Sequence, residues 1–176
     1  MTEIESALSE RAAELRQAFD RSFAAPVQAD RPATIDFISV KLADDIHAIR
    51  LAEIAGLFTD VTITPCPSPF KEFCGIAGFR GLLTPVYDLA ALLGYPMSSA
   101  RWVALAKGKA LALAFDVFDG HFRVEPAAVA PRQGADLTRH AHEIVSHAGD
   151  AFSIVDVPSV LAAISKRIAT HTSSME

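Results

Sequence analysis

The chain has 176 residues, which fits one domain or two small subdomains that share a core. Apolar residues make up 51% of the sequence and charged residues 21%, and this balance excludes a globally disordered chain. The formal net charge of -5 disfavours nucleic-acid binding by phosphate neutralisation, and two cysteines are too few for a disulfide scaffold or a four-cysteine zinc site.

The sequence predicts no membrane-spanning segment and no direct membrane insertion, because no run of about 18 uninterrupted apolar residues is present. Its N-terminal residues include several acids and lack the basic region and apolar stretch of a secretory signal. We therefore expect a cytoplasmic protein whose thiols are reduced.

Residues 3–24 predict an amphipathic helix, because apolar side chains recur there at helical spacing. Pro26 and Pro32 bracket a short segment that is expected to be extended. Residues 1–33 are therefore predicted to form a helical extension followed by a proline-containing linker. The apolar face either packs on the protein's own domain or contacts a partner helix. That face consists mainly of Leu8, Leu15, Phe19 and Phe23.

From residue 34 the apolar period changes to an alternating one, which predicts short strands separated by turn residues. Cys74 begins the first arm of a hairpin that contains three glycines. The other predicted strands are residues 34–42, 46–50, 61–64, 82–87, 101–106, 110–115, 118–124, 143–146 and 151–155.

Three intervening segments predict other local structure. Residues 51–57 predict a short helical turn or an irregular connection that is closed by Gly56. Residues 65–69 contain three prolines and must form a loop, and residues 126–134 are also loop-like.

Two helices are predicted in this part of the chain. Asp88 is placed to cap a short helix over residues 89–93, which stops at Gly94. Residues 156–169 form a final amphipathic helix, and residues 170–176 are expected to be a flexible tail.

The strand-rich pattern of residues 34–169 predicts a mainly β domain, and small twisted β-barrels fit it best. A parallel doubly wound sheet is disfavoured, because strands and helices do not alternate.

Motifs of the common enzyme classes are absent, since the sequence contains no nucleophile elbow and no Walker A loop. The series Gly75-x-x-Gly78-x-x-Gly81 joins two predicted strands, so turns and bulges explain it better than phosphate binding. The sequence therefore predicts no catalytic residues and no enzymatic activity.

His140, His142 and His147 form the one histidine cluster in the sequence. No acid or cysteine stands at ligand spacing beside them, so we interpret them as part of a polar connection and expect no bound metal. A metal- or small-molecule-binding module remains the alternative from another functional class. Cys66 and Cys74 are interpreted as small core or loop thiols.

Arg80 lies between Phe79 and Gly81 at a predicted turn. Its spacing leaves two roles equally open. The guanidinium either pairs with a nearby acid or anchors a partner, since arginine is enriched at the energetic centres of interfaces.

Residues 75–89, GIAGFRGLLTPVYDL, resemble the signature of the CheW family of chemotaxis coupling proteins. Shorter similar segments follow the family's order at residues 49–54, 114–117 and 153–157. The likeness covers about residues 35–168.

This resemblance implies two SH3-like five-stranded β-barrels on a shared core, with no catalytic activity and no cofactor. It also implies an adaptor recruited to receptor clusters. The implied partners are the cytoplasmic tips of methyl-accepting chemoreceptors, the regulatory domain of a CheA-type histidine kinase and other CheW-like proteins. Receptor tips are helical hairpins and would lie in the groove between the barrels.

Several interface residues are implied by the same match. Arg80 matches the arginine of receptor coupling, and the segment around Glu53 matches groove and kinase-side positions. The implied receptor and kinase interface comprises Arg80, Glu53, Leu51, Ile49, Ile54 and Phe79.

Two departures from the family pattern leave alternatives open. Gly78 replaces the usual asparagine, and about 34 residues precede the first predicted strand. A divergent member that binds a receptor or another regulator without the kinase is therefore the close alternative. The N-terminal helix could also occupy the receptor groove as an internal mimic.

Overall fold

The computed structural model describes residues 33–132 and 140–173, except for the side chain of Thr172. The predicted N-terminal helix, including the face of Leu8, Leu15, Phe19 and Phe23, lies outside the described residues. The last three residues of the predicted tail also lie outside them.

The described residues are mainly β, as the sequence predicts, with eleven strands in chain order. They are β1 Ile35–Leu42, β2 Asp45–Arg50, β3 Ile54–Thr59, β4 Phe73–Phe79, β5 Leu82–Asp88, β6 Trp102–Ala106, β7 Ala112–Phe115, β8 Val117–Val124, β9 Val129–Pro131, β10 Glu143–His147 and β11 Asp150–Val155.

The strands form two sheets. One has six strands in the order β8-β1-β2-β11-β10-β9, and the other has five in the order β3-β6-β7-β5-β4. The pairs β2–β11 and β5–β7 are parallel, and the remaining pairs are antiparallel.

The resemblance implies two five-stranded units. The first sheet instead has six strands. The sixth strand is β9, and it falls in the segment that the sequence predicts as a loop. Val129 and Ala130 pair with Val145 and Ile144 of β10. The strand has only three residues, so the local sequence carries little sign of this pairing.

The connection after β2 also differs from the prediction. Only Leu51–Glu53 forms a helical turn, of the 3-10 type, and β3 follows it directly. An added Cβ at Gly56 would stand 2.9 Å from the Phe58 ring, so the glycine leaves room for that ring. Residues 61–64, predicted as a strand, make one bridge between Thr64 and Ile76.

The helix α1, Leu89–Leu93, follows the predicted bounds. The Asp88 carboxylate accepts a hydrogen bond from the Ala91 N–H at 2.7 Å, and Gly94 ends the helix with a φ of 95°. Both ends are therefore fixed by side-chain chemistry that is local in sequence.

The helix α2, Val157–Ser173, extends into the segment predicted as a flexible tail. The hydroxyls of Thr170 and Ser173 donate to the carbonyls of Lys166 and Ala169. The His171 ring also lies 5.7 Å from the Phe70 ring. The ring contact ties the end of α2 to the segment before β4.

The largest apolar cluster of the described residues joins both sheets and both helices. Leu42 and Ile49 enter it from the six-stranded sheet, Leu113 and Phe115 from the five-stranded sheet, and Leu161 from α2. The shared core that the resemblance implies is therefore present. None of the helices in residues 33–132 and 140–173 combines the length and apolar character needed to cross a membrane.

Candidate functional site

The hairpin between β4 and β5 places Arg80 at its tip. Phe79 pairs with Leu82, so Arg80 and Gly81 form a two-residue turn. Their φ angles are 50° and 84°, and positive φ at both positions is the requirement of a type I′ turn. A left-handed conformation costs a non-glycine residue about 1–2 kcal/mol. Ala43 and Ala148 adopt the same φ range in the other two-residue hairpin turns, so the turn type accounts for this conformation.

Two leucines next to this turn are the most exposed large apolar side chains of the described residues. Leu82 is 67% exposed and Leu83 is 78% exposed. Arg80 is exposed beside them, and no described residue forms an ion pair or hydrogen bond with its guanidinium. We call Arg80, Leu82 and Leu83 the hairpin-tip surface. It combines apolar area with an uncompensated cation, as interface centres do.

The sequence motif indicates Arg80 as a candidate but neither of the two leucines. The available signal is the pair of apolar residues directly after a two-residue turn. In β5, Leu82 lies opposite the buried Phe79, while Leu83 lies opposite the exposed Gly78. Leu83 therefore points to the outer face of the hairpin.

A groove of about 630 Å³ adjoins the hairpin-tip surface. One wall is the segment 57–62, which ends β3 and follows it, and the other wall is residues 78–80. The rings of Phe58 and Phe79 lie 5.0 Å apart and connect the groove with the core of the five-stranded sheet. Arg80 therefore stands at the rim of a recess as well as at the tip of a turn.

Three residues of the interface implied by the resemblance are buried. Ile49 and Ile54 lie in the main core, and Phe79 lies in the core of the five-stranded sheet. They present little or no surface to a partner. Their contribution is to hold the neighbouring exposed residues in place.

Glu53 is also directed mainly into the protein. Its Oε2 accepts a hydrogen bond from the Val157 N–H at 3.2 Å, and its Oε1 lies 3.7 Å from Nη1 of Arg50. Burial raises the pKa of the Glu53 carboxyl. Arg50 in turn donates to Glu143 at 2.6 Å. Glu53 therefore connects the 3-10 turn to the start of α2.

Leu51 is the exposed member of this group, with 41% of its surface accessible. It lines a recess of about 440 Å³ together with Ala52 and the start of β1. We call this second surface the Leu51 recess. It shares no lining residue with the groove beside Arg80.

The structure gives the histidine cluster other roles. The His140 Nδ1 lies 2.7 Å from the Ser159 hydroxyl, and the His147 ring stacks on Phe122 at 4.7 Å. In the part of the chain that the structure describes, no group of three or more potential metal ligands converges. The metal-module alternative therefore finds no support in these residues.

The two cysteines, Cys66 and Cys74, are free thiols. Burial raises the pKa of Cys74 to about 11, so its thiolate, the reactive form, is disfavoured near neutral pH. This agrees with the interpretation of Cys74 as a structural thiol.

Comparison with known proteins identifies the family. The sequence model of the CheW-like domain matches residues 36–165. No curated protein matches the sequence. Among solved structures, the fold is similar to the scaffolding protein TtCheW from Thermoanaerobacter tengcongensis. That match has a TM-score of 0.63 at 19% identity, and it covers 71% of this chain and 89% of that one. The chain belongs to the CheW-like domain family and is a scaffolding or adaptor protein of chemotaxis signalling, not an enzyme.

Proposed function

We propose that the protein couples the cytoplasmic tips of chemoreceptors to the regulatory domain of a CheA-type histidine kinase. It would act in the cytoplasm at receptor clusters, with other CheW-like proteins as possible neighbours. The observation that carries the proposal is the hairpin-tip surface. It presents Arg80, whose guanidinium has no partner among the described residues, in a turn with positive φ beside the exposed Leu82 and Leu83.

The chemistry of this surface suits a helical partner. Full burial of a leucine side chain is worth about 1.5–3 kcal/mol, so two exposed leucines offer substantial binding free energy. An unpaired arginine adds orientation, because it attracts a carboxylate and repels a wrongly placed cation. A receptor hairpin that exposes apolar side chains near acids would satisfy both requirements.

We assign the kinase to the Leu51 recess. Leu51 is exposed there, and the half-buried Glu53 and Arg50 hold its turn against α2 and β10. A partner bound at this recess would not compete for the residues around Arg80, since the two sites share none.

Calorimetric titration with a receptor cytoplasmic fragment, and separately with the kinase regulatory domain, tests the proposal. The charge reversal Arg80→Glu should weaken receptor binding by about 2 kcal/mol, as loss of an interface arginine commonly does. Arg101→Glu is the matched control, because Arg101 is also exposed and does not line the groove. Equal effects of the two variants, or unfolding of Arg80→Glu, would contradict the site assignment.

The kinase titration separates the proposal from its close alternative. A folded protein that binds the receptor fragment but not the kinase domain would be a divergent regulator of the receptor. The matched family domain begins at residue 36, so the preceding residues supply sequence that the family domain does not account for.

A further inference from the structure

The groove beside Arg80 contains a length of the outer edge of β4 that the other described strands leave unpaired. The Ile76 N–H donates to the Thr64 carbonyl at 2.9 Å, and the Ile76 carbonyl accepts from the Thr64 N–H at 2.8 Å. The backbone groups of Ile76 therefore point away from β5. Alternate residues of an antiparallel strand direct these groups to the same side, so those of Gly78 also point to this edge.

Within residues 33–132 and 140–173, no segment pairs with the edge at Gly78. The bridge at Thr64 is the one contact of this kind, and the segment 60–62 forms the opposite wall of the groove without a backbone bond to Gly78 among the described residues. Asp60, with a φ of 54°, turns the chain where β3 ends. The groove thus lies between two segments that diverge, residues 57–62 and residues 78–80.

Gly78 has no side chain, which leaves the groove wider at this point. The fold does not require glycine there. A Cβ added at Gly78 would meet no atom within 4 Å, and its φ lies outside the left-handed region. Gly75, on the same strand, is the contrast. Its φ is 138°, and an added Cβ would stand 2.2 Å from the Thr64 carbonyl oxygen. Glycine is required at Gly75 by the close backbone approach, whereas Gly78 leaves open space in one wall of the groove, opposite Leu83 on β5.

We infer that the recess at Gly78 receives a bulky apolar side chain of the receptor tip, while Arg80 pairs with a carboxylate beside that side chain. The inference rests on the proposed function and specifies its contact. Charge fixes the orientation of the partner. Arg80 and Asp60 both line the groove, on opposite walls. Asp60 accepts a hydrogen bond from the Thr59 hydroxyl at 2.8 Å and would repel the partner's carboxylate towards Arg80.

The test fills the recess in the full-length chain. Gly78→Leu should lower the affinity for the receptor fragment by about tenfold or more, because the partner's side chain loses its place at the centre of the interface. Its melting temperature and kinase binding should remain unchanged. Gly120→Leu on β8 is the matched control, since its Cβ would reach no atom nearer than 3.5 Å, the Ser39 hydroxyl. A folded Gly78→Leu variant with wild-type receptor affinity would overturn the inference.

A second measurement tests the recess without a receptor fragment. It applies if the wild-type protein binds no receptor fragment, a result that would refute the proposed function but not the inference about the recess. Phenylbutyrate has an apolar ring and a carboxylate, and phenylbutylamine is its cationic control. The inference expects saturable methyl NMR shifts at Leu57, Val61 and Leu83 with phenylbutyrate only. These shifts should disappear in Gly78→Leu. Absence of saturable shifts at these methyls, or equal shifts with the amine, would overturn the inference.

Discussion

At the scale of single residues, Arg80 joins a backbone requirement to a surface role. The type I′ turn favours asparagine or glycine at its first central position, and this chain has arginine there with a φ of 50°. No described residue binds the guanidinium, so among these residues the Arg80 side chain itself makes no polar contact that offsets the backbone cost. An exposed side chain retained at such a cost is expected to act on something outside the protein.

The substitution Arg80→Asn separates these two roles. Asparagine tolerates the left-handed region, so the Asn-Gly turn should raise the free energy of unfolding by up to about 1 kcal/mol. Receptor binding should weaken in the same variant, because the cation is lost. Urea unfolding and calorimetric titration measure the two effects. A loss of stability would instead assign Arg80 a structural role.

At the scale of elements, Glu53 fixes the junction between the 3-10 turn and α2. Its Oε2 accepts the Val157 N–H at the first turn of α2, where orphan N–H groups need acceptors. Burial is the main cause that raises the Glu53 pKa, and the Val157 N–H and Arg50 oppose it. The junction is therefore held by a carboxyl group that folding makes harder to ionise.

This pKa shift predicts a pH dependence for Glu53→Gln. A carboxyl whose pKa is raised by folding contributes stability below its unfolded pKa, and that contribution is lost as the pH rises through the folded value. The free energy of unfolding of the wild type, relative to that of Glu53→Gln, should therefore decrease as the pH rises above 4.5, the ordinary pKa of this carboxyl. Glutamine keeps an oxygen acceptor for the Val157 N–H. Urea unfolding of both proteins from about pH 4 to about pH 7 measures the difference. An advantage that grows with pH would contradict the assignment of burial as the dominant cause.

The elements differ in how far sequence alone predicts them. Helix α1 is predicted with its bounds, because Asp88 and Gly94 act within one turn of its ends. Residues 54–57 fall in the predicted irregular connection but belong to β3, and residues 61–64, predicted as a strand, make one bridge. Both contain apolar residues, but β3 pairs with β6, which lies far along the chain. The distant partner decides which segment becomes a strand, and local propensity cannot supply that information.

The candidate site shows the same division between local and long-range information. Arg80 is identified from its motif, because a turn and a signature are local. The exposure of Leu83 depends on which face of the hairpin the core covers, and the burial of Ile49 depends on packing between the two sheets. A motif therefore indicates where an interface lies, while the packing of the whole domain decides which side chains reach it.

At the scale of the whole molecule, polar contacts supplement the core that joins the two sheets. The Tyr95 hydroxyl, just after α1, donates to Asp45 at 2.8 Å and lies 3.1 Å from Nε2 of His47 on β2. Burial, together with the hydrogen bond to Asp45, raises the pKa of Tyr95 to about 12, so the phenol stays protonated and can donate. Burial also lowers the pKa of His47, which favours the neutral ring. These contacts tie the segment after α1 to the six-stranded sheet.

The separation of the groove beside Arg80 from the Leu51 recess predicts that the two partners bind independently. Leu51→Asp should weaken kinase binding, because it places a charge in the Leu51 recess, and it should leave receptor affinity unchanged. Arg80→Glu should weaken receptor binding and leave kinase affinity unchanged. The two sites share no lining residue, so the effects should add in the double variant within about 0.5 kcal/mol. Titration of each partner into wild type, both single variants and the double variant completes the cycle. A loss of receptor affinity in Leu51→Asp would mean that one partner spans both recesses, and the assignment of separate surfaces would then be wrong.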